Sequence, residues 1–301
     1  MGFYQTFWTW LNGQLNTYIS NNTALIANAL EPAVVTFATI YIAMWGYMHL
    51  TGSIEQPFAV GLKRILTVAV VLGVGLRLWL YNSVIVDTFY RAPAELATAV
   101  AGAGDPVVVI DAIWDRGGAV ADILFRKGHE YGVVSGLGYI CAGIVVWALI
   151  GLLCVYTMFL ISLSSIALAV LLALGPLFIP ALLFDRTRRL FDAWLGQLAT
   201  YGLITILTVL VAALLLQIVR SYADQTAARG SAILTVDALN MLLMSTLAFL
   251  LMRQVMPIAA GLGGGIALST FSTVSGALRW SAKQPLEALR RLNESRQGRQ
   301  P

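Results

Sequence analysis

The chain has 301 residues, 58% of them hydrophobic and only 11% charged, with a formal net charge of +4 and a mean hydropathy of +0.79. A soluble domain carries about 25% charged residues, so a water-soluble fold is excluded. The composition calls for an all-α, polytopic integral membrane protein with about five transmembrane helices and a broken or re-entrant helix.

Residues 1–30 read as an amphipathic interfacial helix on the periplasmic side. Phe3, Phe7, Trp8, Leu11, Leu15, Tyr18 and Ile19 recur close to i, i+4, i+8 spacing with no charge among them. The same face would also serve an ordinary packing helix. The signal-peptide pattern of a basic region and a small-residue cleavage site is not seen there. Residues 31–81 hold the first two spans. Glu31-Pro32 opens an uncharged stretch to Ile54, and Lys63-Arg64 precede Ile65–Val86, which only Arg77 interrupts. Arg77 would lie about 18 Å into that span. From there it either snorkels outward beside Trp79 and Tyr81 or lines a polar passage.

Residues 82–138 form the one sizeable region of soluble character, expected to be helical and periplasmic. Seven acids and four bases fall in it, and Pro93, Gly102, Gly104, Pro106 and Gly117-Gly118 should cut it into short pieces. Ile110, Ile113, Trp114, Ile123 and Leu124 need an apolar partner. That partner is either the protein's own membrane domain or another protein.

Residues 139–260 hold the remaining spans. From Tyr131 to Phe184 the chain runs 54 residues without Asp, Glu, Lys or Arg. One straight helix of that length would reach about 80 Å, against a bilayer core of about 30 Å. Short Lys/Arg-rich loops stay in the cytoplasm. Lys63-Arg64, the cluster Arg186, Arg188 and Arg189, and the C-terminal tail all do so if Tyr139–Leu163 crosses and residues 164–184 dip in and return. Ser162, Ser164 and Ser165 would mark the turn, and Gly175-Pro176 with Pro180 would break the returning helix. Five crossings result, with the N-terminus periplasmic and the C-terminus cytoplasmic; a sixth would move the Arg186–Arg189 cluster to the wrong side. That cluster, with Asp185 as N-cap and Trp194 as interfacial anchor, either sits among anionic headgroups or docks a cytoplasmic partner. Ala193–Val219 and Ala238–Met252 complete the spans. Residues 261–301 comprise a Gly-rich segment and a basic tail from Arg279.

Chemistry-bearing motifs are sparse. No metalloprotease, phosphate-loop or nucleophile-elbow motif and no intramembrane pair of acids is found, so no catalytic, cofactor-binding or metal site is expected. Cys141 and Cys154 lie thirteen positions apart on one expected helix and cannot bridge there. His49 and His129 leave little material for a metal site. An independent transporter or permease is the alternative reading, and it would call for a mid-membrane titratable constellation.

The stretch Ala173–Leu203 resembles the central region of the TrbL family, the polytopic inner-membrane subunits of bacterial type IV secretion and conjugation systems. Gly175, Pro176, Phe184, Thr187, Arg188, Arg189, Phe191 and Trp194 carry the similarity. It is looser at Lys63-Arg64, Tyr81, Asp87 and Pro93, and extends to the Gly-rich Ala260–Ala267. The resemblance implies a non-enzymatic structural or channel subunit that works as a homo-oligomeric ring and as a platform for pilus assembly. The partners it implies are a minor pilin or stalk protein, the major pilin, the secretion ATPases and other inner-membrane subunits, besides membrane lipid. It also implies transient contact with translocated single-stranded DNA or protein.

Overall fold

The computed structural model describes residues 2–52, 58–101, 106–130, 132, 136–184, 186–229 and 235–263, and all regular structure among them is helical. Asp185 and the segment 264–301, with the rest of the Gly-rich stretch and the basic tail, lie outside the described residues, as do the side chains of Lys63 and Arg64.

Helix α1 spans Phe3–Leu50, 48 residues without interruption. The sequence suggested two elements divided at Glu31-Pro32. The structure instead runs one rod, about 72 Å long at ~1.5 Å per residue, straight through Pro32. Its polar side chains fold back on the helix itself: Thr9, Asn16, Thr17, Ser20, Asn22 and Thr36 each donate to the carbonyl four residues earlier. Such back-bonding leaves few side-chain groups seeking water. A proline costs the ladder one hydrogen bond, and here the turns on either side continue. The rod stops at Gly52, whose positive φ of 69° is the left-handed cap conformation that suits glycine.

Helix α2 (Phe58–Leu76) meets α3 (Leu78–Tyr81) at Arg77, whose backbone is extended (φ −90°, ψ 102°). The apolar stretch expected as one straight span is therefore bent by 89°. A π-helix follows over Asn82–Arg91, then α4 (Ala92–Ala101). Helix α5 (Pro106–Glu130) has 25 residues, with Gly117-Gly118 in its interior. These glycines do not cut the segment. Gly117 faces Ile150 so closely that a Cβ there would collide with it, and Gly143 faces Phe125 in the same way. Small residues at such points let two helix backbones approach.

Helix α6 (Leu137–Ala173), antiparallel to α5, is 37 residues long. It passes unbroken through the serines that the sequence suggested as a turn. Ser164 Oγ donates to Ile161 O at 2.9 Å and lies 2.8 Å from Thr205 Oγ1, so its hydroxyl ties two helices together. The break falls ten residues later, where α7 (Gly175–Phe178) and a 3-10 turn (Ile179–Leu183) lead into α8 (Arg188–Arg229). Helix α8 runs antiparallel to α6 and extends to Arg229, ten residues past the Val219 end expected for its span. Helices α9 (Thr235–Arg253) and α10 (Val255–Leu262) return along α8 to Thr200 and Gly196. Among the described residues, four helices are long and apolar enough to cross a membrane, or five if the pair bent at Arg77 counts as one span.

The core has two parts. In one, Ile110, Ile113 and Leu124 of α5 pack against Ile150, Leu153 and Ile161 of α6 and Val209 and Leu215 of α8. In the other, Leu11 and Ile19 of α1, Val71 of α2 and Tyr81 surround Leu168, Leu172, Ile179, Trp194 and Leu198.

Candidate functional site

The second core part encloses the joint between α6 and α8. Pro176 has no N–H, so it cannot donate to the carbonyl of Leu172 four residues back, and the last carbonyls of any helix need outside donors. Two side chains from distant segments supply them. The Tyr81 hydroxyl donates to Leu172 O. The Trp194 indole N–H donates to Leu171 O at 2.8 Å. Both rings are almost wholly buried, at 1% and 2% exposed, so neither carbonyl has water as a ready substitute. Gly175 makes the approach of Tyr81 possible, because a Cβ there would overlap the phenol ring.

The chain beyond the break is held by rings and a threonine. Phe178 stacks on Trp194 with centroids 6.0 Å apart and planes 15° apart, and Phe191 leans on the same indole at 5.6 Å. Pro180 lies in the 3-10 turn. Phe184 is extended and takes an edge contact at 5.9 Å from Tyr41 of α1. Thr187 closes the turn into α8, its hydroxyl donating to Ala181 O at 2.8 Å. Arg186, Arg188 and Arg189 stand exposed on the outer rim of this turn. An exposed cationic rim next to an apolar joint suits phosphate-bearing headgroups or an acidic partner surface.

Gly175, Pro176, Pro180, Arg186, Arg188, Arg189 and Trp194 are thus gathered in one place. Arg77 is not among them: it lies exposed at the bend, four residues before Tyr81. The bend itself brings Tyr81 to α6. Ile110, Ile113 and Leu124 lie elsewhere again, fully buried inside the first core part, so the apolar partner they need is the protein's own helices. Trp114 and Ile123 flank them, half-buried, with Trp114 against Trp147 at 5.6 Å.

Two capping positions are not signalled by the sequence around them. Tyr81, expected beside Arg77 as an interfacial anchor, is instead a buried cap, and the sequence signal for it is that Pro176 must orphan a carbonyl. Asp111 accepts from the backbone N–H groups of Tyr4 and Gln5 at 3.3 and 3.2 Å, capping α1 from α5. No short-range pattern signals a cap so remote. Among the described residues, no three of His, Cys, Asp or Glu lie together as metal ligands would.

A family model described as "TrbL/VirB6 plasmid conjugal transfer protein" matches residues 38–255, a range that contains the whole joint. Protein VirB6 of Agrobacterium fabrum is 28% identical over 202 residues, covering 66% of this chain and 67% of that protein. Type IV secretion system protein VirB6 of Brucella abortus is 28% identical over 200 residues, covering 64% of this chain and 58% of the relative. The protein of the same description from Bartonella quintana is 24% identical over 216 residues, covering 69% and 63%. The chain thus spans between about three-fifths and two-thirds of the length of these curated relatives.

Proposed function

Because the chain belongs to the TrbL/VirB6 plasmid conjugal transfer protein family, we propose that it is a multi-pass inner-membrane structural subunit of a type IV secretion or conjugation apparatus. In this reading it works as an oligomer. It supports pilus assembly and borders the route of translocated single-stranded DNA or protein, with no bond-making chemistry of its own. The observation that carries the reading is the family match across residues 38–255, which takes in Tyr81, Gly175, Pro176 and Trp194.

The joint gives this role a physical form. A helix end held by side chains from α3 and α8 fixes the angle at which the exposed arginines leave the membrane domain. The arginine rim then faces the cytoplasm, where secretion ATPases work, while α5 and the start of α1 face the periplasm and its minor pilin. The positive-inside rule supports that orientation.

The test is purification of the tagged full chain from inner membranes with its neighbouring secretion proteins, beside a transfer assay in a strain lacking it. Co-purification with pilin and ATPase subunits and loss of transfer are the expected results. Solute uptake by the protein alone in liposomes, with transfer intact in the deletion strain, would overturn the reading. For orientation, a cysteine from Thr187→Cys is expected to label only from the cytoplasm and one from Glu130→Cys only from the periplasm. Labelling at position 187 from the periplasm would reverse the assignment.

A further inference from the structure

Away from the joint, a cavity of about 420 Å³ opens between the first half of α1, the end of the π-helix, α4, α6 and α8. Helix α1 contributes Asn12, Asn16 and Ser20, at i, i+4 and i+8 on one face. Their arrangement is fixed from within. The Tyr90 hydroxyl donates to Asn12 Oδ1 at 2.8 Å, Asn16 Nδ2 donates to Asn12 O at 2.9 Å, and Ser20 Oγ donates to Asn16 O at 2.9 Å. Asn12 Nδ2 and Asn16 Oδ1 are left unengaged among the described residues, a donor and an acceptor along the cavity wall. Ile161 and Leu168 of α6 make an apolar back wall, with the Ser165 hydroxyl between them.

The charges stand on the opposite side. Arg91 and Glu95 line the cavity, and an adjoining recess adds Asp87, which pairs with Arg91 at 3.0 Å. Asp87, Arg91 and Glu95 thus place one guanidinium between two carboxylates. A lone anion would meet both carboxylates and a lone cation would meet the guanidinium, so neither is the matching ligand. A zwitterion bearing a phosphate and a primary ammonium meets both Arg91 and Glu95 with the right sign. The volume is that of a small-molecule site, too small for a folded partner. The apolar back wall suits the start of an acyl chain, and the amide-rich, uncharged half of α1 suits the headgroup zone of a bilayer. A π-helix at the edge is a further mark of a functional position, since this geometry recurs at such sites.

The geometry points to this cavity as a site for a phosphatidylethanolamine headgroup. The phosphate is held at Arg91, the ammonium at Glu95, and the glycerol esters against Asn12 and Asn16. The site does not depend on the secretion role and would operate in any membrane that contains this lipid.

The experiment uses the full-length protein in mild detergent, followed by native mass spectrometry with added phosphatidylethanolamine, phosphatidylglycerol or inorganic phosphate. Phosphatidylethanolamine is expected to be retained as a single adduct. Glu95→Gln is expected to weaken that retention about tenfold, the size of one lost charge-assisted contact, and Leu190→Ala to leave it unchanged. Equal retention of phosphatidylglycerol, displacement of the lipid by inorganic phosphate, or full retention by Glu95→Gln would overturn the proposal. A photoreactive phosphatidylethanolamine on the unaltered protein gives a readout independent of variant folding. Cross-links confined to peptides around Asn12–Ser20 and Tyr90–Glu95 are expected, whereas labelling spread evenly along the exposed faces of α6 and α8 would exclude a defined site.

Discussion

The α5–α6 hairpin and the α6–α8 joint solve the same problem in opposite ways. In the hairpin, glycines at 117 and 143 let two helices close on each other, and Ile110, Ile113, Ile150 and Leu153 share the burial. In the joint, the helix is broken, and two side-chain donors take over carbonyls that the break leaves without a backbone donor. Stability in the hairpin is spread over many apolar contacts. In the joint it is concentrated in a few directional ones, and this makes the joint the place where one substitution can change geometry without unfolding the whole.

The largest effect should come from the hairpin. Ile113→Ala removes a fully buried side chain and is expected to cost about 3.5 kcal/mol, read as a drop in thermal midpoint in detergent, with the joint's protease resistance unchanged. Tyr81→Phe should come next, at about 2 kcal/mol, because it leaves the Leu172 carbonyl buried without its donor. Its mark is local: trypsin should cut sooner at Arg186 and Arg188 while the midpoint falls less than for Ile113→Ala. A midpoint falling further than for Ile113→Ala would abolish the contrast. Trp194→Phe keeps a ring beneath Phe178 and loses only the N–H, for about 1.5 kcal/mol. Combined with Tyr81→Phe it should deviate from additivity by more than about 0.5 kcal/mol, since the two donors serve adjacent carbonyls; strict additivity would mean they act separately. Asp111→Asn, which weakens the cap on α1, should cost about 1 kcal/mol, seen as faster amide exchange confined to residues 3–6.

The all-helical membrane class could be read from composition and charge-free runs, because lipid forces backbone groups to pair within helices. Gly175, Pro176 and Trp194 also stood out, since proline, glycine and aromatic residues carry local geometry in their own chemistry, whereas Thr187 stood out only through the family resemblance. What stayed hidden depended on the third dimension. Gly117-Gly118 reads as a breaker by composition, yet Ile150 fills the space that a Cβ at Gly117 would need, while Gly118 faces open space. Ser164 looked like a turn residue until Thr205 was found opposite it. Ile110, Ile113 and Leu124 formed a plausible docking face because nothing in their spacing says whether the partner is α6 or another chain. Pro32 misled for a different reason: a proline's preference against a helix interior is local, and it yields where both flanking segments are strongly helical.

The cap on α1 carries a consequence for how the protein is made. Tyr4 and Gln5 receive their acceptor from a residue 107 and 106 positions downstream. At roughly 5 to 20 residues per second of synthesis, the first turn of α1 leaves the ribosome on the order of 5 to 20 seconds before Asp111 exists. The longest helix among the described residues therefore enters the membrane with its leading end unfinished, and it is secured only after the bend at Arg77 and the start of α5 have followed it. Biogenesis of this chain must keep an early segment waiting for a later one, so a truncation that ends before Pro106 should leave the N-terminal turn frayed even where α1 itself has formed.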